Sequence, residues 1–279
     1  MVSIREGFGM AINELGEKNE NILVLTADLK DSLKLGVFAK NYPKRFYEFG
    51  IAEQNMLSAA SGMTKLNKIP FVCSYAAFNP GRNWDQLRVS VCYSNANVKI
   101  VGGHAGLLTG PDGASHQALE DIAITRCLPN LRLVVPCDGE EAKKATLAIA
   151  NEYGPFYLRV SREKTPEITN SKTPFKIGKA NILNEGKDII IVSCGAVLQF
   201  AILAQKELEK ENIFSTIINM HTIKPLDTKT LVKFAKISKK ILVIEEHQKY
   251  GGLFSAISEY FSSNYPILID AICMEDSFG

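Results

Sequence analysis

Asn21-Ile-Leu-Val-Leu-Thr26 is an apolar, β-rich run that stops abruptly at Asp28. The same form recurs in Ile69-Pro-Phe-Val-Cys-Ser74 before Tyr75, in Val98-Lys-Ile-Val-Gly-Gly103 before His104 and in Phe156-Tyr-Leu-Arg-Val-Ser161 before Arg162. Helix-like segments separate these runs and are long enough to return each strand parallel to the last, so the pattern predicts an α/β fold. In an open parallel sheet the carboxyl ends of the strands lie along one edge. Residues remote in sequence then converge on one crevice that holds carboxylates, aromatic rings, imidazoles and a guanidinium. That inventory suits an enzyme acting on a polar, phosphorylated substrate.

A further element feeds the same edge. The β-type run Arg45-Phe-Tyr-Glu-Phe49 closes at Gly50, and in Glu48-Phe-Gly-Ile-Ala-Glu-Gln-Asn55 the carboxylate of Glu53 falls in the first turn of the helix that follows. An acid there ordinarily serves the helix dipole. In this neighbourhood it is also a candidate acid or base.

The 279 residues, 46% hydrophobic and 22% charged, suffice for one large core or two ordinary ones in a soluble globular protein. A formal net charge of +2, with no basic block longer than a Lys-Lys pair, gives no electrostatic footprint for nucleic acid, and none is expected as a partner. The start, Met-Val-Ser-Ile-Arg-Glu-Gly-Phe, carries charge where a signal peptide needs an apolar core. No apolar run approaches the membrane-spanning length of about 18 residues, so no membrane association and a cytoplasmic location are expected. Cys73, Cys92, Cys127, Cys137, Cys194 and Cys273 contain no Cys-x-x-Cys pair and read as buried free thiols, from which no metal site follows.

Asp138 with Glu141 three residues later has the spacing of a capping box, opening an amphipathic stretch to Asn151 that Gly154-Pro155 ends. After Glu163 the sequence up to Pro174 has no apolar periodicity and carries two prolines, the composition of an exposed connector. The alternation then restarts with strand-like runs at Asp188–Ser193, Ser215–Asn219, Lys240–Ile244 and Pro266–Asp270, separated by three helix-like segments. Two doubly wound domains are therefore expected, residues 1–163 and a smaller 175–279, joined by a linker at 164–174. His221 and His247, each after a strand-like run and away from other reactive groups, read as structural or interface residues.

The richest stretch is Gly102-Gly-His104-Ala-Gly-Leu-Leu-Thr-Gly-Pro-Asp112-Gly-Ala-Ser-His116-Gln-Ala-Leu-Glu-Asp121. It hangs two imidazoles and a carboxylate on a glycine-rich loop between a strand and a helix. Imidazole titrates near neutrality and moves protons to and from hydroxyls, while a carboxylate accepts their hydrogen bonds. Polyhydroxylated substrates need both, and loops this long in compact domains are mostly functional.

From Ser3 through Phe278 the chain resembles the C-terminal half of a transketolase, in the form of the second subunit of the split, two-chain enzyme. Gly50-Ile-Ala-Glu53-Gln-Asn is similar to the family's helix-start motif, Ser74-Tyr75-Ala-Ala-Phe78 stands at its aromatic platform, and His104, Asp112 and His116 match its Gly-x-His and Asp-Gly-x-x-His-Gln elements. The resemblance implies a larger pyrimidine-binding-type domain with a mostly parallel sheet, a smaller transketolase C-terminal-type domain, and thiamine diphosphate as cofactor. It implies that Glu53 shares a proton with the aminopyrimidine N1′. Phe78 would stack on the pyrimidine, for about 0.5–1.5 kcal/mol beyond burial. Tyr75 would line the same pocket, and Asp28 would lie near the cofactor at a subunit interface.

By the same resemblance His104 and His116 contact substrate and move protons, and Asp112 selects a hydroxyl configuration. Arg162, Arg5 and Ser32 match positions that hold a substrate phosphate, a role suited to guanidinium because its planar donors bind two oxygens at once. The family's Gly-Asp-Gly and later Asn-Asn, which hold the metal and the diphosphate, are absent. A separate N-terminal subunit is therefore expected to bring the diphosphate and Mg²⁺ half, in a heterotetramer of two each acting on sugar phosphates. Two departures stand out. The segment Asn79-Pro-Gly-Arg82-Asn83 is about two residues longer than in single-chain transketolases, and the chain stops at Glu275-Asp-Ser-Phe-Gly279 where a final helix usually follows, the expectation being a shortened or incomplete product. The nearest rival, a 1-deoxyxylulose-5-phosphate synthase half, would carry arginine in place of His104. A 2-oxoacid dehydrogenase β subunit would lack the His104 and Asp112–His116 pattern, and a non-catalytic subunit would not be expected to keep Glu53, Phe78 and both loop histidines.

Overall fold

The computed structural model of the chain describes residues 2–279, and these contain two sheets. The strands are β1 (Ile22–Thr26), β2 (Phe46–Glu48), β3 (Ile69–Tyr75), β4 (Lys99–Gly103), β5 (Arg132–Val134) and β6 (Phe156–Val160), then β7 (Asn181–Asn184), β8 (Ile189–Ser193), β9 (Ser215–Asn219), β10 (Thr222–Lys224), β11 (Lys240–Gln248) and β12 (Leu268–Met274). The larger sheet runs β10-β5-β6-β4-β3-β1-β2 and the smaller β12-β11-β8-β9-β7. All pairs are parallel except β10 with β5 and β7 with β9. This is the expected α/β architecture of two mostly parallel sheets.

The unbroken apolar runs are explained by burial on both faces. In β1, Leu23 and Leu25 pack into a core shared with Met56, Leu57 and Ala60 of the helix Glu53–Met63. Ile22 and Val24 pack into a core on the other face with Phe8 and Ile12 of the helix Ile4–Lys18 and Ala145 and Ile149 of the helix Gly139–Ala150. The first of these cores is continuous with the second sheet, where Ile190, Val192 and Ile218 join it together with Phe234 of the helix Thr228–Ser238.

Register places the site. Thr26 lies opposite Cys73, Tyr75 opposite Gly103, and Gly103 opposite Val160. The carboxyl ends of β1, β3, β4 and β6 are thus side by side, and Asp28, Tyr75, His104 and Arg162 emerge on one edge.

Several local expectations change in detail. The connector after Glu163 is not simply exposed, since Thr165 and Thr169 are buried. Asp138 straps it down: one carboxylate oxygen accepts the backbone N–H of Ile168 at 2.8 Å and of Thr169 at 2.5 Å, while the other accepts Thr169 Oγ1 and the Glu141 N–H, both at 2.8 Å. Asp138 therefore caps its helix, but Glu141 does not complete the box; its carboxylate accepts from the Cys137 N–H and from Asn219 Nδ2 in the second sheet, both at 2.8 Å. All six cysteines are free, and of these Cys127 is exposed and Cys273 half-buried. His221 stacks on Phe175 with ring centroids 4.3 Å apart, and His247 Nε2 accepts the Ala123 N–H at 3.2 Å. No helix among the described residues is long and apolar enough to cross a membrane.

Asp138→Ala removes a helix cap and orphans the half-buried Ile168 N–H and the buried Thr169 N–H at once. The expected loss is about 3–5 kcal/mol in chemical denaturation. A loss below about 1 kcal/mol would mean that water replaces the strap.

Candidate active site

The chain leaves β2 through Gly50, whose φ of +65° is a left-handed conformation suited to glycine, and enters a helix whose first residue is Glu53. Ala52 at the cap offers no side chain to the free N–H groups, so the first turn is not built around a capping residue. Glu53 turns inward and is 1% exposed. One carboxylate oxygen accepts Ser74 Oγ at 2.8 Å and the other meets Arg82 Nη1 at 2.6 Å. Asn83 Nδ2 donates to the Glu53 carbonyl at 3.3 Å and to Asn79 Oδ1 at 2.9 Å, and Asn79 in turn donates to the carbonyls of Val72 and Val101 at 3.0 and 3.1 Å. The segment 79–83 is thereby stitched between β3, β4 and the helix start. It runs into Trp84–Gln86 and a π-helical stretch, Leu87–Tyr93, a geometry that recurs at functional sites.

Arg82 also lies over Phe78, its guanidinium carbon 4.4 Å from the ring centroid. A planar, nitrogen-bearing group can thus rest on Phe78 and donate to Glu53 at the same time. The remaining rings cluster beside it. Tyr75 lies 4.0 Å from His104, 5.9 Å from His116 and 6.3 Å from Phe78, and His116 stands edge-on to Phe78 at 5.4 Å.

His104 follows β4 in a left-handed conformation and is 2% exposed, with Nδ1 lacking a hydrogen-bond partner. Burial, reinforced by the positive charges of Arg5 and Arg162, holds its pKa down to about 4. At neutral pH it is a neutral imidazole able to accept a proton or a hydroxyl hydrogen bond. His116 is tied through Nδ1 to Ser115 Oγ at 2.9 Å. Arg162 donates to the Thr109 carbonyl at 2.8 Å and lies 3.6 Å from Asp112 and 3.7 Å from Glu163. Arg5 donates to the Ser32 carbonyl at 3.0 Å, and the Tyr75 hydroxyl meets Ser32 Oγ at 3.2 Å.

The structure therefore gathers Glu53 and Phe78 around Arg82, and Tyr75, His104 and His116 beside them. Arg5 and Ser32 join through Tyr75, and Asp112 pairs with Arg162 across the loop. Asp28 sits further out. Its N–H donates to Glu48 at 2.7 Å, and with Ser32 and Glu48 it lines a cavity of about 510 Å³. Ser74, Asn79, Arg82 and Asn83 carry no assigned role in the reading of the sequence. Their signal was a run of polar residues after Phe78 and a serine at the polar end of an apolar strand.

The family model for the transketolase pyrimidine binding domain matches residues 1–167, and that for the transketolase C-terminal domain matches residues 178–275. A protein of Methanocaldococcus jannaschii described as a transketolase C-terminal section is 41% identical over 264 residues, covering 94% of this chain and 82% of that one. One of the subunits of the apulose-4-phosphate transketolase of Phocaeicola vulgatus is 35% identical over 277 residues, covering 99% and 88%. A solved chain described as a split gene transketolase, inactive beta4 tetramer, superposes with a TM-score of 0.92 at 40% identity, covering 99% of this chain and 90% of that one. Together with the gathered motifs, these matches make the chain a member of the transketolase family, corresponding to the C-terminal subunit of its split form.

Proposed function

We propose that this chain is the C-terminal subunit of a thiamine-diphosphate-dependent transketolase that moves a two-carbon ketol unit from a ketose phosphate to an aldose phosphate. The observation that carries the reading is the pairing of a buried carboxylate, Glu53, with an aromatic face, Phe78, both reached by one planar nitrogen group. That donor set fits an aminopyrimidine. Thiamine diphosphate held there would supply a nucleophilic carbon for the ketose carbonyl and an electron sink for cleavage of the adjacent carbon–carbon bond.

Around it, Glu53 would share a proton with the ring N1′, Phe78 would stack on the ring, Tyr75 would line the pocket, and Asp28, further out, would approach it from a subunit interface. His104, neutral at working pH, takes a hydroxyl proton and with His116 returns it. Asp112 reads hydroxyl configuration, while Arg162, Arg5 and Ser32 hold the phosphate. In this reading Mg²⁺ and the diphosphate fall to an N-terminal partner subunit, in a cytoplasmic heterotetramer of two each, and the absence of Gly-Asp-Gly and Asn-Asn from this chain supports that division. The description of the split-gene relative as an inactive beta4 tetramer supports that dependence. A relative named for a phosphorylated sugar supports the substrate class. We take residues 1–163 as the pyrimidine-binding domain, 164–174 as the linker and 175–279 as the C-terminal domain.

The isolated chain should bind thiamine diphosphate weakly and show no transfer activity until the partner is added. Tight, Mg²⁺-dependent binding in calorimetry of this chain alone would overturn the partner assignment. In the reconstituted complex, Glu53→Gln keeps shape and hydrogen bonding but cannot share the proton, so turnover should fall by orders of magnitude with little change in melting temperature. Near-normal turnover would leave Glu53 a buried structural acid.

Arg162→Ala should raise KM for phosphorylated sugars by the equivalent of about 1.5–3 kcal/mol and spare unphosphorylated ketoses. Asp112→Ala should instead weaken discrimination between hydroxyl configurations. Equal damage to free and phosphorylated sugars would reduce Arg162 to its contacts with Thr109 and Asp112.

A further inference from the structure

The loop from His104 to His116 belongs to the first sheet, yet it is fastened by the second. From β11, the buried Glu246 carboxylate enters the loop and accepts the Leu108 N–H at 2.7 Å, between residues 138 apart in sequence. Gly106 lies directly on that carboxylate with φ at +82°, and a Cβ there would collide with the carboxyl carbon. Two residues along the same strand, the Gln248 N–H donates to the Leu119 carbonyl at 2.7 Å. Arg159 closes the frame, donating to the carbonyls of Ala118 and Glu246 at 3.2 and 3.0 Å. His104, Asp112 and His116 lie within this frame or just outside its first anchor.

The first anchor controls more than one amide. Leu108 adjoins Thr109, whose hydroxyl bonds the His104 and Gly106 carbonyls and whose own carbonyl receives Arg162. Arg162 in turn faces Asp112 at 3.6 Å. A shift at Leu108 therefore reaches His104 by one hydrogen bond and Asp112 by two contacts, without touching Glu53 or Phe78.

We propose that Glu246 is a positioning residue for catalysis: by holding the Leu108 amide, the C-terminal domain sets where His104 and Asp112 meet the substrate. This rests on the reading of the loop as the substrate loop. The C-terminal domain then has a part in the reaction without contributing a group to it. Small displacements of substrate-holding groups change rates by large factors, even when the altered residue is remote from the chemistry.

The test uses the complex reconstituted with its partner subunit. Glu246→Ala should raise KM for a phosphorylated ketose about ten- to hundredfold, blunt discrimination between ketoses of opposite hydroxyl configuration, and leave the Kd for thiamine diphosphate within about twofold. Glu246→Gln retains an acceptor for the amide and should recover most of the loss. Amide exchange at residues 107–109 should quicken in the alanine variant and not in the glutamine one. Leu108→Pro deletes the donor instead and should reproduce the KM effect if Glu246→Ala does not fold. The inference is overturned if Glu246→Ala or Leu108→Pro lowers the melting temperature while KM and discrimination stay at wild-type values, or if Glu246→Gln is as impaired as alanine. Asp112→Ala serves as the control. If it changes discrimination while Glu246→Ala does not, the positioning role falls and the substrate loop stands; if it changes nothing, the substrate-loop reading fails and takes the inference with it.

Discussion

A guanidinium buried among acceptors holds the two halves of this fold in one arrangement. Arg159, near the end of β6, donates through Nε to Asp121 at 2.9 Å, and Asp121 also accepts the Tyr157 hydroxyl at 2.7 Å. The same side chain reaches the loop carbonyl of Ala118 and the second-sheet carbonyl of Glu246. One cation thus fixes the start of the helix Asp121–Arg126, the returning limb of the loop and the tip of β11. Removing one partner from a buried ion pair costs about 3–5 kcal/mol because the other charge is left stranded. The neighbouring Glu246 carboxyl is pushed above its ordinary pKa by burial, and Arg159 opposes that shift. These charges are tolerable in a dry interior only as a set.

Three residues farther along the same strand end comes Arg162, so the element that locks the halves together also delivers a candidate phosphate ligand. This economy ties the site to the domain junction. The loop carrying His104 and Asp112 leans on both.

How much of this the sequence discloses follows from what each feature depends on. Strands such as β1 (Ile22–Thr26) and β4 (Lys99–Gly103) are legible because burial on both faces demands a local run of apolar residues, and the edge they share follows from parallel connections. Glu53 is legible as a helix-start acid for the same local reason. The partners of that acid are not. Ser74 and Arg82 reach it only through the register of β3 against its neighbours and through the path of Asn79–Asn83, neither of which leaves a periodic signal. Glu246 is harder still, since beside Glu245 it reads as ordinary charge at a strand end. Glu245 spends its carboxylate on the first N–H groups of the helix Leu253–Asn264, whereas Glu246 turns into the other domain. Alternation along a strand separates the two, but only the fold says which face meets what.

The short β10 shows the same limit and has a consequence for how the chain can be divided. Thr222 and Lys224 pair with Val134 and Leu133, so a segment from the second half closes the outer side of β5. Were the first half made alone, that side would present unpaired N–H and C=O groups on an apolar strand, the template along which foreign strands add. Separating the halves at residues 164–174, however clean the composition there, would move the edge of the sheet inward from the short β10 to β5. The connector is a boundary in sequence and not a seam along which the protein can be cut.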